Sequence, residues 1–251
     1  MEQAKERVAL LDELRGGAIV LMFICHLTFD VMLLSGAPGY YDSWVARYLA
    51  PFTGGVFTLI AGICSCYSRG TVRRGLILLA AALLITLVTA LMAPHLKITF
   101  GVLHMLGCCM VLAGLAAPGL NRLKPAVGAA LSLLLFISVA NVALGYLGIG
   151  DWRLALPAVL YQTPGLFPLG FRTADFFSAD YYPLLPWFFL FLAGRFAGMS
   201  LRRTALPASV YQKRCLILSR MGQHSLPIYL LHQPVFMALL WLGATLLKAA
   251  R

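Results

Sequence analysis

The 251-residue chain is 61% hydrophobic and only 12% charged, whereas a soluble domain carries about 45–50% apolar and about 25% charged residues. Too few charges are present to cover a water-facing globule, which excludes a soluble globular domain, a disordered chain, a disulfide-stapled secreted fold and a nucleic-acid-binding domain. The net charge of +11 fits a multi-span membrane protein, because such proteins concentrate Lys and Arg in their cytoplasmic loops.

Seven stretches reach the length of about 20 mostly apolar residues that a membrane-crossing helix needs. We therefore predict an all-α fold, a polytopic membrane helix bundle of about seven transmembrane helices that forms a single domain over residues 1–251. The first stretch is too long and too polar, with His26 and Asp30 inside it, for a cleavable signal peptide. In chain order the stretches are 16–36, 48–67, 75–93, 98–117, 126–147, 183–200 and 224–247.

The distribution of basic residues predicts the orientation of these spans. With the N-terminus in the cytoplasm, the inner segments hold fourteen of the twenty Lys and Arg residues, as the positive-inside rule requires.

The longest outer connection, about 148–182, is rich in Pro, Gly and aromatic residues. It is too apolar for a solvated linker, so we expect an extended aromatic outer loop that forms a lid or re-entrant segment. The six cysteines are expected to be reduced thiols.

Ionisable residues inside a span are costly and usually functional, and the first span has the densest set. Arg15 and His26 are separated by ten residues, about three helical turns and about 16 Å of rise, so they share a face. Asp30 lies one turn beyond His26 on that face. His104 in the fourth span comes out near the level of Asp30, and His232 in the seventh comes out near the level of His26, just below it. These residues predict one polar site in the middle of the membrane.

Each of these residues also has a structural interpretation. An intramembrane histidine can be a hydrogen-bonded packing residue, and Asp30 can orient His26 or bridge two helices. Arg15 can anchor the first span to lipid phosphates at the inner surface. Arg73 and Arg74 are topology determinants that can also contact a phosphorylated ligand.

A histidine beside a carboxylate is a common general base. The carboxylate fixes the tautomer of the ring and stabilises the imidazolium that forms when the histidine takes a proton. In the middle of a membrane, such a base would suit a reaction whose two substrates arrive from opposite sides. The spacing alone does not identify that reaction.

Four blocks of sequence resemble one family. Together they are similar to the catalytic-domain-like family of heparan-alpha-glucosaminide N-acetyltransferase, within the transmembrane acyltransferase superfamily, whose first span carries an Arg-x10-His signature. Arg15 and His26 fit this signature. The four blocks are LDELRGGAIVLMFICHLTFDVML, ITFGVLHMLG around His104, ADYYPLLPWFFLFLAG around Asp180, and SLPIYLLHQPV around His232.

The resemblance implies that the chain is an integral membrane acyltransferase. We expect it in the bacterial inner membrane with a cytoplasmic N-terminus. Acetyl-CoA or another acyl-CoA would be the donor co-substrate, with no tightly bound cofactor and no metal. The acceptor would be an amine or hydroxyl of a sugar or cell-envelope glycan. The resemblance assigns catalysis to His26, donor binding to Arg15, and acceptor binding to His104, Asp180 and His232. From the residues themselves we add Asp30 as the carboxylate partner in catalysis and Arg73 and Arg74 as donor-binding residues. We also predict that Trp187 and Gln233 contact the acceptor.

Two other functions stay open from the sequence. A transporter or channel would use the His and Asp residues as a proton relay or solute site, although no inverted repeat is evident. A haem protein would use His26, His104 or His232 as axial ligands. Small residues such as Gly16 and Gly17 in the first span allow close helix contacts and an oligomer, but they predict no particular one.

Overall fold

The structure is a computed structural model that describes residues 8–36, 39–68 and 70–249. Four basic residues that enter the orientation count lie outside these ranges: Lys5, Arg7, Arg69 and Arg251.

Within the described ranges, nine α-helices and one two-stranded antiparallel hairpin are present. The helices are α1 (Ala9–Ser35), α2 (Ala50–Ser65), α3 (Thr71–Met92), α4 (Val102–Leu115), α5 (Ala117–Leu120), α6 (Pro125–Ser138), α7 (Leu184–Leu201), α8 (Leu216–Gln223) and α9 (Ser225–Ala249). The strands are β1 (Tyr146–Ile149) and β2 (Trp152–Ala155), in a register that pairs Tyr146 with Ala155.

The prediction of an all-α polytopic membrane fold is confirmed. Among the described residues, six helical segments are long and apolar enough to cross a membrane. They are Ala9–Ser35, Val45–Ser65, Thr71–Met92, Pro125–Leu144, Leu184–Leu201 and Ser225–Gly243.

The fourth predicted span, 98–117, differs from the prediction. Its one long helix is Val102–Leu115, whose 14 residues rise about 21 Å, short of the roughly 30 Å of hydrocarbon, and the separate helix α5 begins at Ala117. Residues 98–101 are not helical, and Phe100 pairs with Tyr181 as an isolated parallel bridge.

The described chain falls into two compact units, residues up to Phe57 with those from Leu206, and Thr58–Ala205. In the first unit, α1 and α8 approach closely at two glycines. A Cβ on Gly16 would overlap the backbone of Leu218, and one on Gly222 would overlap the backbone of Asp12. The two helices therefore pack backbone against backbone, as small residues permit between membrane helices.

In the second unit, α3 packs on α4 and α6 packs on α7. The predicted outer loop lies in this unit as the hairpin followed by short turns. Its end is hydrogen-bonded to the extended residues before α4: Ala179 N–H donates to the Lys97 carbonyl at 3.1 Å, and Tyr182 N–H to the Phe100 carbonyl at 3.2 Å. Its backbone is thus partly covered by protein, while its role as a lid stays a prediction. The structure shows no disulfide between the six cysteines, all of which lie in the described ranges.

Candidate functional site

Two histidines from α1 and α9 form the centre of a polar cluster in the first unit. The rings of His26 and His232 meet edge to face, with their centroids 4.7 Å apart. Aromatic rings surround His232: Phe23 stacks on it at 5.9 Å, Tyr229 lies at 5.5 Å and Phe236 at 5.8 Å. The two imidazoles therefore lie in a largely apolar, aromatic environment.

The tautomer of His232 follows from its hydrogen bond. Its Nδ1 lies 2.6 Å from the Tyr229 carbonyl oxygen, which only accepts, so Nδ1 carries the hydrogen. In the neutral ring, Nε2 then keeps a lone pair. The residue is 6% exposed, and its Nε2 is buried with no hydrogen-bond partner among the described residues. An acceptor that costs free energy when unpaired is thus held beside His26.

Asp30 bridges α1 to α9 next to the histidines. It is fully buried, and its Oδ1 accepts a hydrogen bond of 2.6 Å from Gln233 Nε2. In the described part of the chain, Asp30 Oδ2 and Gln233 Oε1 have no partner. Among the same residues, the contact that the structure gives the His26 ring is the one with His232, and it shows no hydrogen bond to that ring. Of the two structural roles considered for Asp30, the structure shows the bridge between helices and not a hydrogen bond that orients His26.

Arg15 lies eleven positions before His26 on α1 and joins that helix to α8. Its Nη1 donates to Asp12 Oδ1 at 3.3 Å and to the Gly222 carbonyl at 3.3 Å, and 20% of its side chain is exposed. The neighbouring Glu13 accepts two backbone N–H groups at the start of α8, at 2.6 and 2.9 Å. This acidic and basic run therefore fixes the α1–α8 contact, and donor binding by Arg15 stays a prediction.

His104 has both ring nitrogens occupied by protein groups in the second unit. Its Nδ1 accepts from the Gly101 N–H at 3.2 Å, so Nε2 carries the hydrogen of the neutral ring and donates to Thr86 Oγ1 at 3.2 Å. The Thr86 hydroxyl in turn donates to the Ile98 carbonyl at 2.7 Å. This geometry gives His104 a structural role at the start of α4, and its role in acceptor binding stays a prediction.

Asp180 also holds the start of α4. Its Oδ2 accepts a hydrogen bond of 2.9 Å from the Val102 N–H and packs against the Cα of Gly101, where a side chain would collide with it. Desolvation raises the pKa of Asp180 to about 6, although the hydrogen bond from Val102 acts in the opposite direction. The carboxyl therefore acts as an N-terminal cap, and its contact with an acceptor stays a prediction.

The remaining predicted binding residues lie in the second unit. Trp187 packs against the rings of Tyr182 at 5.2 Å and Phe136 at 6.1 Å. Arg73 and Arg74 follow each other in the first turn of α3 and are both exposed. Arg73 lines a cavity at the start of α3, and Arg74 is not among the residues that line that cavity.

The sequence was compared with models of known protein families. The sequence model of heparan-alpha-glucosaminide N-acetyltransferase, catalytic, matches residues 7–234. The chain belongs to this family. No curated protein and no solved structure matches the chain. The resemblance read from the four sequence blocks is confirmed, and the family implies a membrane transferase of the acetyltransferase type.

All candidate residues of this heparan-alpha-glucosaminide N-acetyltransferase family member fall within the matched range. The structure brings His26, His232, Asp30 and Gln233 together in the first unit. In the second unit, the backbone between Gly101 and Val102 connects His104 to Asp180. No group of three or more His, Cys, Asp or Glu side chains that could hold a metal is found in the residues described.

Sequence reasoning did not single out Arg195, a basic residue near the end of α7. It is only 6% exposed and lines the same cavity as Arg73. The signal was present in the sequence, since Arg195 stands in the apolar run LLPWFFLFLAGRFAGMSL. The positive-inside rule counts Arg195 among the inner basic residues, and such a count does not separate buried arginines from exposed ones.

Proposed function

We propose that this family member transfers an acyl group, acetyl in the first instance, from acyl-CoA to an amine or hydroxyl of a sugar or cell-envelope glycan. His26 is the catalytic base. The observation that carries the proposal is the His26–His232 pair beside the Asp30–Gln233 bridge, in a chain of this family. The donor is a co-substrate, and no tightly bound cofactor or metal takes part.

The hydrogen-bond inventory of the cluster supports this class of acceptor. Three buried acceptor atoms lack donors among the described residues: His232 Nε2, Gln233 Oε1 and Asp30 Oδ2. Each costs about 1–3 kcal/mol when it stays unpaired away from water. An amine or hydroxyl brings the N–H or O–H donors that this set lacks, whereas a purely apolar substrate would leave the cost in place.

The chemistry then needs one proton to move. His26 takes the proton of the acceptor amine or hydroxyl as its nitrogen or oxygen attacks the thioester carbonyl. The new bond to the acyl carbon forms, the C–S bond breaks, and CoA leaves as a thiolate that receives the proton from His26. His232, whose Nδ1 is held by the Tyr229 carbonyl, directs a fixed lone pair into the same cluster.

A covalent route remains an alternative for the same residues, with an acyl-imidazole on His26 as intermediate. The two routes differ when the acceptor is withheld. Direct transfer predicts that protein quenched after mixing with radiolabelled acetyl-CoA keeps no label on His26. An acyl-imidazole would appear as one acid-labile acetyl group per chain that the His26→Ala variant lacks.

Donor binding is assigned to the cytoplasmic side, with the N-terminus in the cytoplasm and the protein in a bacterial inner membrane. Arg15, Arg73 and Arg74 are the proposed phosphate contacts. Arg73 and Arg74 are exposed and accessible to a soluble donor. Arg15 already donates to Asp12 and to the Gly222 carbonyl, so it contributes to the donor path partly by holding α1 against α8.

The decisive experiment measures CoA release from acetyl-CoA, with a thiol reagent, by the purified full chain supplied with amino sugars and glycan fragments. His26→Ala is expected to lower turnover by about 10²–10⁴, the usual contribution of a general base. The matched control is His95→Ala, which removes an exposed histidine from a short turn and should leave turnover unchanged. Near-wild-type turnover of His26→Ala would end the proposal, and loss in Cys25→Ala alone would move it to the neighbouring thiol.

A further inference from the structure

A polar cavity of about 320 Å³ lies within the second unit, where α2 ends, α3 begins and α7 ends. Its charged lining consists of Arg73, Arg195 and Arg202. Ser65 and Thr71 add hydroxyl groups. Among the described residues that line it, none is acidic. A cavity with three guanidinium groups and no carboxylate carries a strong positive potential.

Arg195 is the buried member of this set. Its Nη1 donates to Ser65 Oγ at 3.2 Å and its Nη2 to Asn121 Oδ1 at 3.0 Å. In the part of the chain that the structure describes, its Nε has no hydrogen-bond partner and no carboxylate forms an ion pair with it. Burying a charge is costly unless an opposite charge accompanies it, so the side chain is arranged for an anion that the described residues do not provide.

The start of α3 adds a second source of positive potential. This helix has 22 residues, its N-cap is Gly70, and the structure shows no side-chain cap on it among the described residues. A helix N-terminus without a cap presents free N–H donors and the positive end of the helix dipole, which favour an anion. Arg73 and Arg202, both exposed, stand at the cavity with the buried Arg195.

We propose that this cavity is a binding site for the phosphoryl groups of a phosphorylated ligand, with Arg195 at its base and Arg73 and Arg202 at its opening. A phosphate offers several oxygens to planar guanidinium groups and binds them through paired, charge-assisted hydrogen bonds. Phosphoryl binding does not depend on the transfer reaction. Its identification with the phosphates of acyl-CoA rests on the proposed function.

The test uses inorganic pyrophosphate, which carries no acyl or nucleoside group. Its binding to the full chain, purified in a detergent free of phospholipid, is measured by calorimetry. Arg202→Gln is expected to weaken binding by roughly ten- to hundredfold, since it removes hydrogen bonds to a charged group. The matched control is Arg203→Gln, which neutralises the adjacent exposed arginine outside the cavity and should keep wild-type affinity.

Arg195→Gln should weaken binding at least as much, because it removes the buried guanidinium. Arg195 also contacts Ser65 and Asn121, so this variant can fail to fold. The exposed Arg202 and Arg73 variants keep the proposal falsifiable in that case. Absence of pyrophosphate binding to the wild-type chain would overturn the proposal. Equal binding by wild type and both exposed variants would overturn it as well.

Competition separates the two sources of a phosphoryl group. Displacement of pyrophosphate by CoA would support the site and identify its ligand as a soluble phosphorylated molecule. Displacement only by short-chain phosphatidic acid would support the site and identify its ligand as a lipid headgroup. Because these assays contain no acyl transfer, a transfer-inactive protein that binds pyrophosphate would refute the proposed function and leave the phosphoryl site standing.

Discussion

Replacing Asp180 by Asn tests the electrostatics at the start of α4. The carboxyl oxygen Oδ2 accepts the Val102 N–H at 2.9 Å, and the Asn amide oxygen can accept the same hydrogen bond without a charge. Two effects compete at this position. An ionised carboxylate is favoured at a helix N-terminus, whereas removal from water disfavours the ionised form.

The magnitude follows from the pKa of Asp180, which desolvation raises from 3.8 to about 6. An acid whose pKa is raised on folding holds its proton more tightly in the folded state. Its stabilising contribution is therefore complete below pH 3.8 and is lost as the pH rises through about 6. The gap between the two pKa values corresponds to at most about 3 kcal/mol, since the partly exposed carboxyl keeps some screening by solvent.

Thermal unfolding followed by circular dichroism in one detergent, at pH values from 4 to 7, measures this contribution. We expect the wild type to lose up to about 3 kcal/mol of stability relative to Asp180→Asn over that range. Other groups that titrate in the window are common to both proteins, so their effects cancel in the difference. If the wild type instead gains stability relative to the variant as the pH rises, the helix N-terminus outweighs desolvation and the reasoning is wrong.

Three further substitutions test the packing and the hydrogen bonds. Gly16→Val should destabilise the protein by about 1–3 kcal/mol or prevent folding, because the side chain meets the backbone of α8; an unchanged unfolding midpoint would contradict the close helix contact. Thr86→Val should lower the free energy of unfolding by about 1–3 kcal/mol, because the Nε2–H of His104 loses its acceptor. Wild-type stability of this variant would refute the assigned tautomer. Gln233→Leu should lower both stability and acyl transfer, because Asp30 loses its hydrogen-bond donor. If the variant keeps wild-type stability and wild-type transfer, the Asp30–Gln233 bridge is not part of the site.

The six membrane-crossing segments were predictable because a 20-residue apolar run has few stable structures in lipid other than a helix. The short α4 was not predictable in the same way. Hydropathy is summed over residues whether or not they are helical, and residues 98–101, ITFG, are not helical. Their conformation depends on pairing with Tyr181 and on the Asp180 cap, both about 80 positions away. A local pattern carries no information about such contacts.

Within one helix, the helical period was sufficient to predict which site residues share a face. Arg15, His26 and Asp30 share α1, so their common face follows from 3.6 residues per turn. The partners of these residues depend on how α9 packs on α1, and the sequence does not specify that packing. Depth estimates therefore grouped His26 with His232 correctly but missed that Asp30 would bind Gln233. A bond from Asp30 to His26, one turn apart, was the nearer expectation.

His26, His104 and His232 differ in how many ring nitrogens the protein itself occupies, and this difference separates their roles better than predicted depth does. His104 uses both nitrogens, and His232 uses Nδ1 and leaves a buried Nε2 unpaired. In the described chain, His26 uses neither. Because an unpaired buried acceptor destabilises the folded protein by about 1–3 kcal/mol, a ring kept in that state gains most from a ligand that donates a hydrogen bond. A substrate that receives the acyl group through an amine or hydroxyl can donate a hydrogen bond to His232 Nε2. Its binding then removes the free-energy cost of this unpaired nitrogen. His26, beside it and free of hydrogen bonds, is the ring that can take that substrate's proton without first breaking a bond within the protein.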